Sequence, residues 1–242
     1  MREPDVSSRQ NPRFKATLAL RDASERRARG LIIVDGAREI GRALEAGVVL
    51  RETWVAAERV RSEAARALLP RLATDAETVE TTPELLARLA YGDRDEGLVA
   101  VFETPASDLE TMAGGLPERP LIAVMERVEK PGNLGALLRS ADGAGVDAVI
   151  AADPVSDIWN PNAIRASLGT IFSTPVATST TREALAFLRH LGTAILAARV
   201  EGATDYAAAD LTGPVALVVG AETSGLSDVW AGEGVTPVAI PM

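Results

Sequence analysis

Short apolar runs alternate with segments of helical periodicity along most of the chain, and this alternation limits the fold more than any other feature. Leu31-Ile-Ile-Val34, residues 53–56, Thr78-Val79 and residues 97–102 read as strands. Helical segments separate them at 37–46, at 59–69 with Pro70 as its stop, and from Pro83, where Thr82 is placed to cap. An opening helix spans residues 14–29 and ends at Gly30. Residues 103–120 gather Pro105, Gly114, Gly115, Pro117 and Pro120 around one short helical piece and read as a linker. Strands then recur at 121–125, 147–151, 174–177, 194–198, 215–220 and 235–240, with helices at 132–144, after Asn160-Pro161-Asn162, and at 182–191. The expectation is an α/β protein with mostly parallel or mixed sheets: a basic arm and helix at 1–29, a small α/β domain at 30–104, a linker at 105–120 and a second α/β domain at 121–242.

Composition narrows the chemistry. With 242 residues and 47% apolar content, the chain can bury a core, and no apolar run approaches the ~20 residues that span a bilayer. The N-terminus lacks a signal peptide's apolar segment, so a cytoplasmic protein is expected. The absence of cysteine removes disulfides, thiolate catalysis and cysteine-ligated zinc, and no metal site is expected. The single histidine, His190, ends a helical run, where its charge would complement the helix dipole; the other reading is a catalytic group. The net charge of −9 is uneven: residues 1–30 hold eight basic and four acidic groups, leaving 17 basic and 30 acidic groups in the remainder. A basic arm on an acidic body suits contact with phosphate, although a solvated amphipathic helix gives the same pattern.

One stretch packs a loop, polar anchors and a helix start into fourteen residues: Glu129-Lys-Pro-Gly-Asn-Leu-Gly-Ala-Leu-Leu-Arg-Ser-Ala-Asp142. It follows the buried-strand run Leu121-Ile-Ala-Val-Met125, so its polar residues sit at a strand-to-helix turn, the edge where open α/β sheets bind ligands. Asn133 and Arg139 are the polar groups able to reach a ligand; alternatively, Asn133 is only an N-cap and Arg139 only a solvated helix residue. A second glycine-bounded loop, Gly220-Ala-Glu-Thr-Ser-Gly-Leu226, places Glu222 at another strand's carboxyl end, as a site residue or as the cap of a following helix. No Gly-x-Gly-x-x-Gly follows a strand with an acidic residue at the next strand end, which argues against a nucleotide-dependent oxidoreductase.

Taken together, these stretches resemble the SpoU (TrmH-like) branch of the SPOUT RNA 2′-O-ribose methyltransferases. Residues 129–141 resemble the family's first motif, with Asn133 and Arg139 at its functional positions, and Leu217-Val-Val-Gly-Ala-Glu-Thr-Ser-Gly-Leu226 resembles the second, with Glu222. Arg165-Ala-Ser-Leu-Gly-Thr170, followed by Thr174-Pro175, is similar to the connecting signature. Gly30-Leu-Ile-Ile-Val-Asp-Gly36, Glu96-Gly-Leu-Val-Ala-Val101 and the lead-in Asn11-Pro-Arg-Phe-Lys15 are similar to the small N-terminal RNA-binding domain of many members. The closing Ala239-Ile-Pro-Met242 matches only the opening of the third motif, so the sequence is expected to stop short of a longer protein.

The resemblance implies a trefoil-knot methyltransferase domain, S-adenosyl-L-methionine as cofactor, a homodimer and a structured RNA substrate, ribosomal rather than transfer RNA. It places Ala198, Gly220 and Ile240 along the cofactor's adenosine, and Arg13, Lys15 and Arg165 on the substrate side. Methyl transfer to a ribose hydroxyl chiefly needs geometry, since alignment of reactants can remove roughly 7–11 kcal/mol of barrier. Arg139 stays protonated, so its expected part is to grip a substrate phosphate and stabilise the developing alkoxide. Asn133 would hold the hydroxyl or Arg139, and Glu222 would orient Asn133 or fix its loop. Arg165 is the competing candidate for the phosphate. The alternative function is a non-catalytic SpoU-like module that binds RNA or the ribosome.

Overall fold

A computed structural model describes residues 4–91, 96–200 and 204–240. Gly92, read as a helix stop, and Pro241 and Met242, read as part of a third motif, lie outside the described residues. The helices are α1 (Pro12–Ala19), α2 (Ala23–Arg29), α3 (Ala37–Glu45), α4 (Glu63–Asp75), α5 (Pro83–Leu89), α6 (Leu109–Ala113), α7 (Pro131–Ala144), α8 (Pro161–Ala166), α9 (Thr170–Ser173) and α10 (Thr181–His190). The strands are β1 (Leu31–Asp35), β2 (Leu50–Val55), β3 (Glu77–Glu80), β4 (Leu98–Glu103), β5 (Leu121–Glu126), β6 (Ala148–Ala152), β7 (Val176–Ser179), β8 (Ala194–Ala198), β9 (Thr204–Asp205), β10 (Val215–Val219) and β11 (Val235–Ala239). They form two compact units, Met1–Pro105 with Trp159–Ser173, and Ala106–Ile158 with Thr174–Met242.

The first unit holds a mixed four-stranded sheet in the order β1-β4-β2-β3, with β4 antiparallel to both neighbours and β3 parallel to β2. Its core gathers Phe14, Leu20, Ile33, Trp54, Leu86, Val99 and Val101, with Phe14 edge-on to Trp54 at 6.2 Å between ring centres. The helix expected over 14–29 is two helices. Asp22 accepts a hydrogen bond from the Ser24 N–H at 2.7 Å and starts α2 afresh, because a short acidic side chain competes for backbone donors. Pro70 lies inside α4 rather than ending it. Ser62 caps the helix late, through the Ala65 N–H at 3.1 Å, and buried Leu72 anchors the turn beyond the proline.

Residues 159–173 pack with the first unit although they follow β6 in the chain. Asn160 caps α8 by accepting from the Asn162 N–H at 2.9 Å, Ile164 and Ile171 are buried, and Trp159 stacks on Phe172 at 6.0 Å. At Gly169 (φ +80°) the backbone comes so close to α3 that a Cβ would lie 3.2 Å from the Glu39 Cα and 3.0 Å from the Arg42 Cδ, so only glycine fits without displacement. The span 121–242, read from the sequence as one domain, therefore lends these fifteen residues to the first unit.

The second unit is built on a seven-stranded sheet in the order β7-β6-β5-β10-β8-β11-β9, parallel at every pairing. All five residues of β6 are buried, as a strand covered on both faces requires. Ile122, Val124, Ile150, Leu188, Ile195, Val218 and Trp230 form the main core. Met112 of α6 joins it, so the stretch read as a linker carries a helix that packs. No helix of the described residues is long and apolar enough to cross a membrane.

Candidate active site

Because β5, β10, β8 and β11 are parallel neighbours, the loops that leave their carboxyl ends share one edge of the sheet. Ala198 ends β8, Gly220 follows β10 and Ile240 follows β11, which brings the three expected cofactor residues to adjacent strand ends. Ala198 and Ile240 are exposed there, Ile240 at 72%, and a small and an apolar side chain beside free strand ends suit the flat face of an adenosine. S-adenosylmethionine therefore fits the residues present at this edge.

Asn133 and Glu222 meet at the same edge. Glu129, Lys130 and Asn133 line one side of a shallow depression, and Ala221, Glu222 and Thr223 line the other. The N-cap of α7 is Lys130, so Asn133 is not a cap but the third residue of the helix, and no side chain caps this terminus. Pro131 has no N–H and the Asn133 and Leu134 N–H groups turn back to the Lys130 carbonyl, so what this helix start offers is chiefly its partial positive charge. Glu222 does not cap the following helical turn, whose N-cap is Ser227. Its carboxylate lies 3.7 Å from the Lys130 ammonium, both side chains being largely exposed, a contact of at most about 1 kcal/mol.

Among the expected polar residues, Asn133 and Glu222 are the two that line this depression. Arg139 is exposed on α7, six residues beyond Asn133 and hence about 9 Å farther along the helix axis. Arg13 pairs with Glu52 and with Glu77, the latter at 2.7 Å, and hydrogen bonding to Glu77 together with Glu52 raises its pKa further above the ordinary arginine value. Lys15 donates to Gln10 at 2.5 Å. Several other cations of residues 4–30 are also held: Arg9 pairs with Glu84, Arg21 lies 4.4 Å over the Tyr91 ring, Arg26 is buried with its guanidinium on the Leu20 and Arg21 carbonyls, and Arg29 donates to the Ala16 carbonyl at 2.5 Å. From residue 4 onward, the stretch read as a basic arm is thus folded onto the first sheet through Phe14 and Leu20. His190 is the last residue of α10. Among the described residues, no cluster of histidine and carboxylate side chains could hold a metal ion.

Arg165 donates to Asp35 at 2.6 Å, within the first unit. Gly36, Arg38, Glu39 and Glu96 line the same pocket as this pair, and Asp35 also accepts from the Tyr91 N–H at 3.1 Å. Burial pushes the pKa of Asp35 up despite Arg165, and burial also raises that of Glu39, with Asp35 and Glu96 adding to the effect. A carboxyl group with a raised folded-state pKa favours folding while protonated and loses that contribution as pH rises through the folded value. Glu39→Gln is therefore expected to raise the thermal midpoint at pH 8 by a few degrees, with the gain shrinking as the pH falls through the raised folded-state value and gone below the ordinary carboxylate value. Thermal melts across pH measure this, and an equal gain at pH 4 would contradict it.

Sequence reading overlooked Glu126. It ends β5, is fully buried, and accepts hydrogen bonds from Thr181 Oγ1 at 2.9 Å, Ser227 N at 2.8 Å and Ser227 Oγ at 2.6 Å. The available signal was a carboxylate closing an otherwise apolar strand run, since buried carboxylates are kept only where hydrogen bonds satisfy them.

Residues 120–242 match the SpoU rRNA Methylase family, and residues 11–100 match the MRM3-like substrate binding domain. The 23S rRNA (uridine(2479)-2′-O)-methyltransferase of Streptomyces viridochromogenes is 34% identical over 98% of this chain and 84% of its own length. The chain belongs to the SpoU rRNA methylase family. Its fold superimposes on the crystal structure of an RNA 2′-O ribose methyltransferase with a TM-score of 0.83 and 34% identity, covering 98% of this chain and 89% of the other. The SpoU methyltransferase AviRb from S. viridochromogenes in complex with AdoMet gives a TM-score of 0.85 at 32% identity, covering 96% and 89%. In this SpoU-family chain the two matched regions are sequence spans, whereas the compact units are not: α8 and α9 fall in the methylase span and pack in the first unit.

Proposed function

We propose that the protein transfers a methyl group from S-adenosylmethionine to the 2′-hydroxyl of a ribose in ribosomal RNA. The observation that carries this is the meeting of Asn133 and Glu222, from two separate motifs, in one depression at the sheet edge where β8, β10 and β11 also end. When bound, S-adenosylmethionine supplies an electrophilic methyl. The chain supplies the alignment. Asn133 holds the hydroxyl, Glu222 orients Asn133, and the Arg139 guanidinium, with donors in a planar fork, holds a substrate phosphate and stabilises negative charge as the hydroxyl proton leaves to a phosphate or water. Ala198, Gly220 and Ile240 line the adenosine.

The first unit grips the RNA, in keeping with its match to a substrate-binding domain. Arg13, Lys15 and Arg165 contribute there through donors that their protein partners leave over; Arg165, for example, uses Nη1 on Asp35. The same reading carries the family's trefoil-knotted backbone, a homodimer through the second unit and a cytoplasmic location. Mapping 2′-O-methyl marks in ribosomal RNA from cells with and without the protein tests the proposal. Loss of one mark, restored by the purified protein with S-adenosylmethionine, is expected. An unchanged set of marks, with no cofactor binding by calorimetry, would favour the non-catalytic module.

A further inference from the structure

We infer that Glu126 is a positioning residue for the reaction, acting through the loop that carries Glu222. The inference rests on the proposed role of Glu222. Both oxygens of the fully buried carboxylate are used: Oε2 takes the Ser227 N–H, and Oε1 takes the hydroxyls of Ser227 and Thr181. Arg199, just after β8, donates from Nη2 to the Ser227 carbonyl at 2.7 Å. Ser227 is therefore held at its N–H, its side chain and its C=O, by groups leaving two different strands. Behind it, the loop closes on itself, with the Gly225 N–H on the Ala221 carbonyl at 2.9 Å.

What these contacts leave exposed is the loop tip with Glu222, opposite Asn133. Glu126 also ends the strand from which the turn Arg127–Lys130 leads into α7, so its carboxylate ties the root of the Glu222 loop to the strand that carries the other wall of the depression. A buried carboxyl group with three hydrogen-bond donors is expensive to disturb, and a shift of about 1 Å at a reacting group can cost roughly 10²-fold in rate. Thr181 ties the same carboxylate to the start of α10, whose Thr180–Glu183 capping box fixes that terminus. The Glu222 loop is thereby referenced to the rigid body of the sheet and helix rather than to its own turn.

The test compares Glu126→Gln and Ser227→Ala, each alone and combined with Glu222→Ala, in the full chain. Single-turnover methylation of ribosomal RNA gives one readout, and amide hydrogen exchange over residues 220–227 gives the other. Each single variant is expected to slow methylation about tenfold and to speed exchange of the loop amides, with β10 amides unchanged. In the Glu222→Ala background, neither should slow the reaction further by more than about twofold, because the group they position is gone. Multiplicative losses in that background, or faster loop exchange with a wild-type rate, would overturn the inference. A wild-type rate for Glu222→Ala alone would overturn the role of Glu222 and this inference with it. If Glu126→Gln unfolds, Ser227→Ala, which keeps the backbone hydrogen bond, decides the outcome alone.

Discussion

Replacing Arg139 with alanine is expected to lower single-turnover methylation by about 10²–10³-fold, the range seen when one preorganised donor to a developing oxyanion is removed, while S-adenosylmethionine affinity stays within about twofold. The side chain is exposed on α7 and lies about two helical turns from Asn133, away from the strand ends assigned to the cofactor, so the loss should fall on chemistry and RNA placement rather than on cofactor binding. Arg139→Lys should remain badly impaired, because an ammonium keeps the charge but not the planar fork. A near-normal rate for Arg139→Lys would move the phosphate role to Arg165, whose guanidinium already has one donor on Asp35. Calorimetry and single-turnover assays on the same preparations separate these outcomes.

Gly220→Ala is expected to weaken S-adenosylmethionine binding by roughly 10²-fold, about 2.7 kcal/mol, the scale of strain that an overpacked tight site introduces. A Cβ at this position would sit 2.3 Å from the Gly225 carbonyl carbon, 2.4 Å from its oxygen and 2.5 Å from the Leu226 nitrogen. These are backbone atoms of the returning arm of the same loop and cannot swing aside as a side chain would. The clash must open the turn that Gly225 and Ala221 close, next to Ala198 at the end of the neighbouring strand β8. Isothermal titration measures the change. Unchanged affinity would remove this loop from the cofactor site.

The alternation of apolar runs and helical periods makes the strands legible, and in a parallel sheet every strand's carboxyl end falls on one edge, so the sequence pattern already puts Asn133 and Glu222 on the same edge. Capping was legible only where it agreed with periodicity. Thr82 starts α5 as read, whereas Asp22 divides what looked like one helix, because a local side-chain hydrogen bond outweighed a continuous apolar pattern. The fate of the cations was not legible at all. Composition shows eight basic groups in the first thirty residues, but the pairing of Arg13 with Glu52 and Glu77 depends on strands that come much later. Glu126 escaped for the same reason: its partner Ser227 is 101 positions away.

The packing of Trp159–Ser173 into the first unit has a consequence for how the protein is made. A ribosome releases the chain from its N-terminus at about 5–20 residues per second, and a contiguous domain can close as soon as its last residue emerges. Here the sheet β1-β4-β2-β3 is fully synthesised by Glu103, yet the helices that cover β1 and α3 arrive only after the whole of β5, α7 and β6 has followed. For several seconds at that speed, the apolar surface that later meets Ile164 and Ile171 has no cover of its own. The nascent first unit thus stays incompletely covered for an interval set by translation speed, and slow codons between Pro105 and Trp159 would lengthen it.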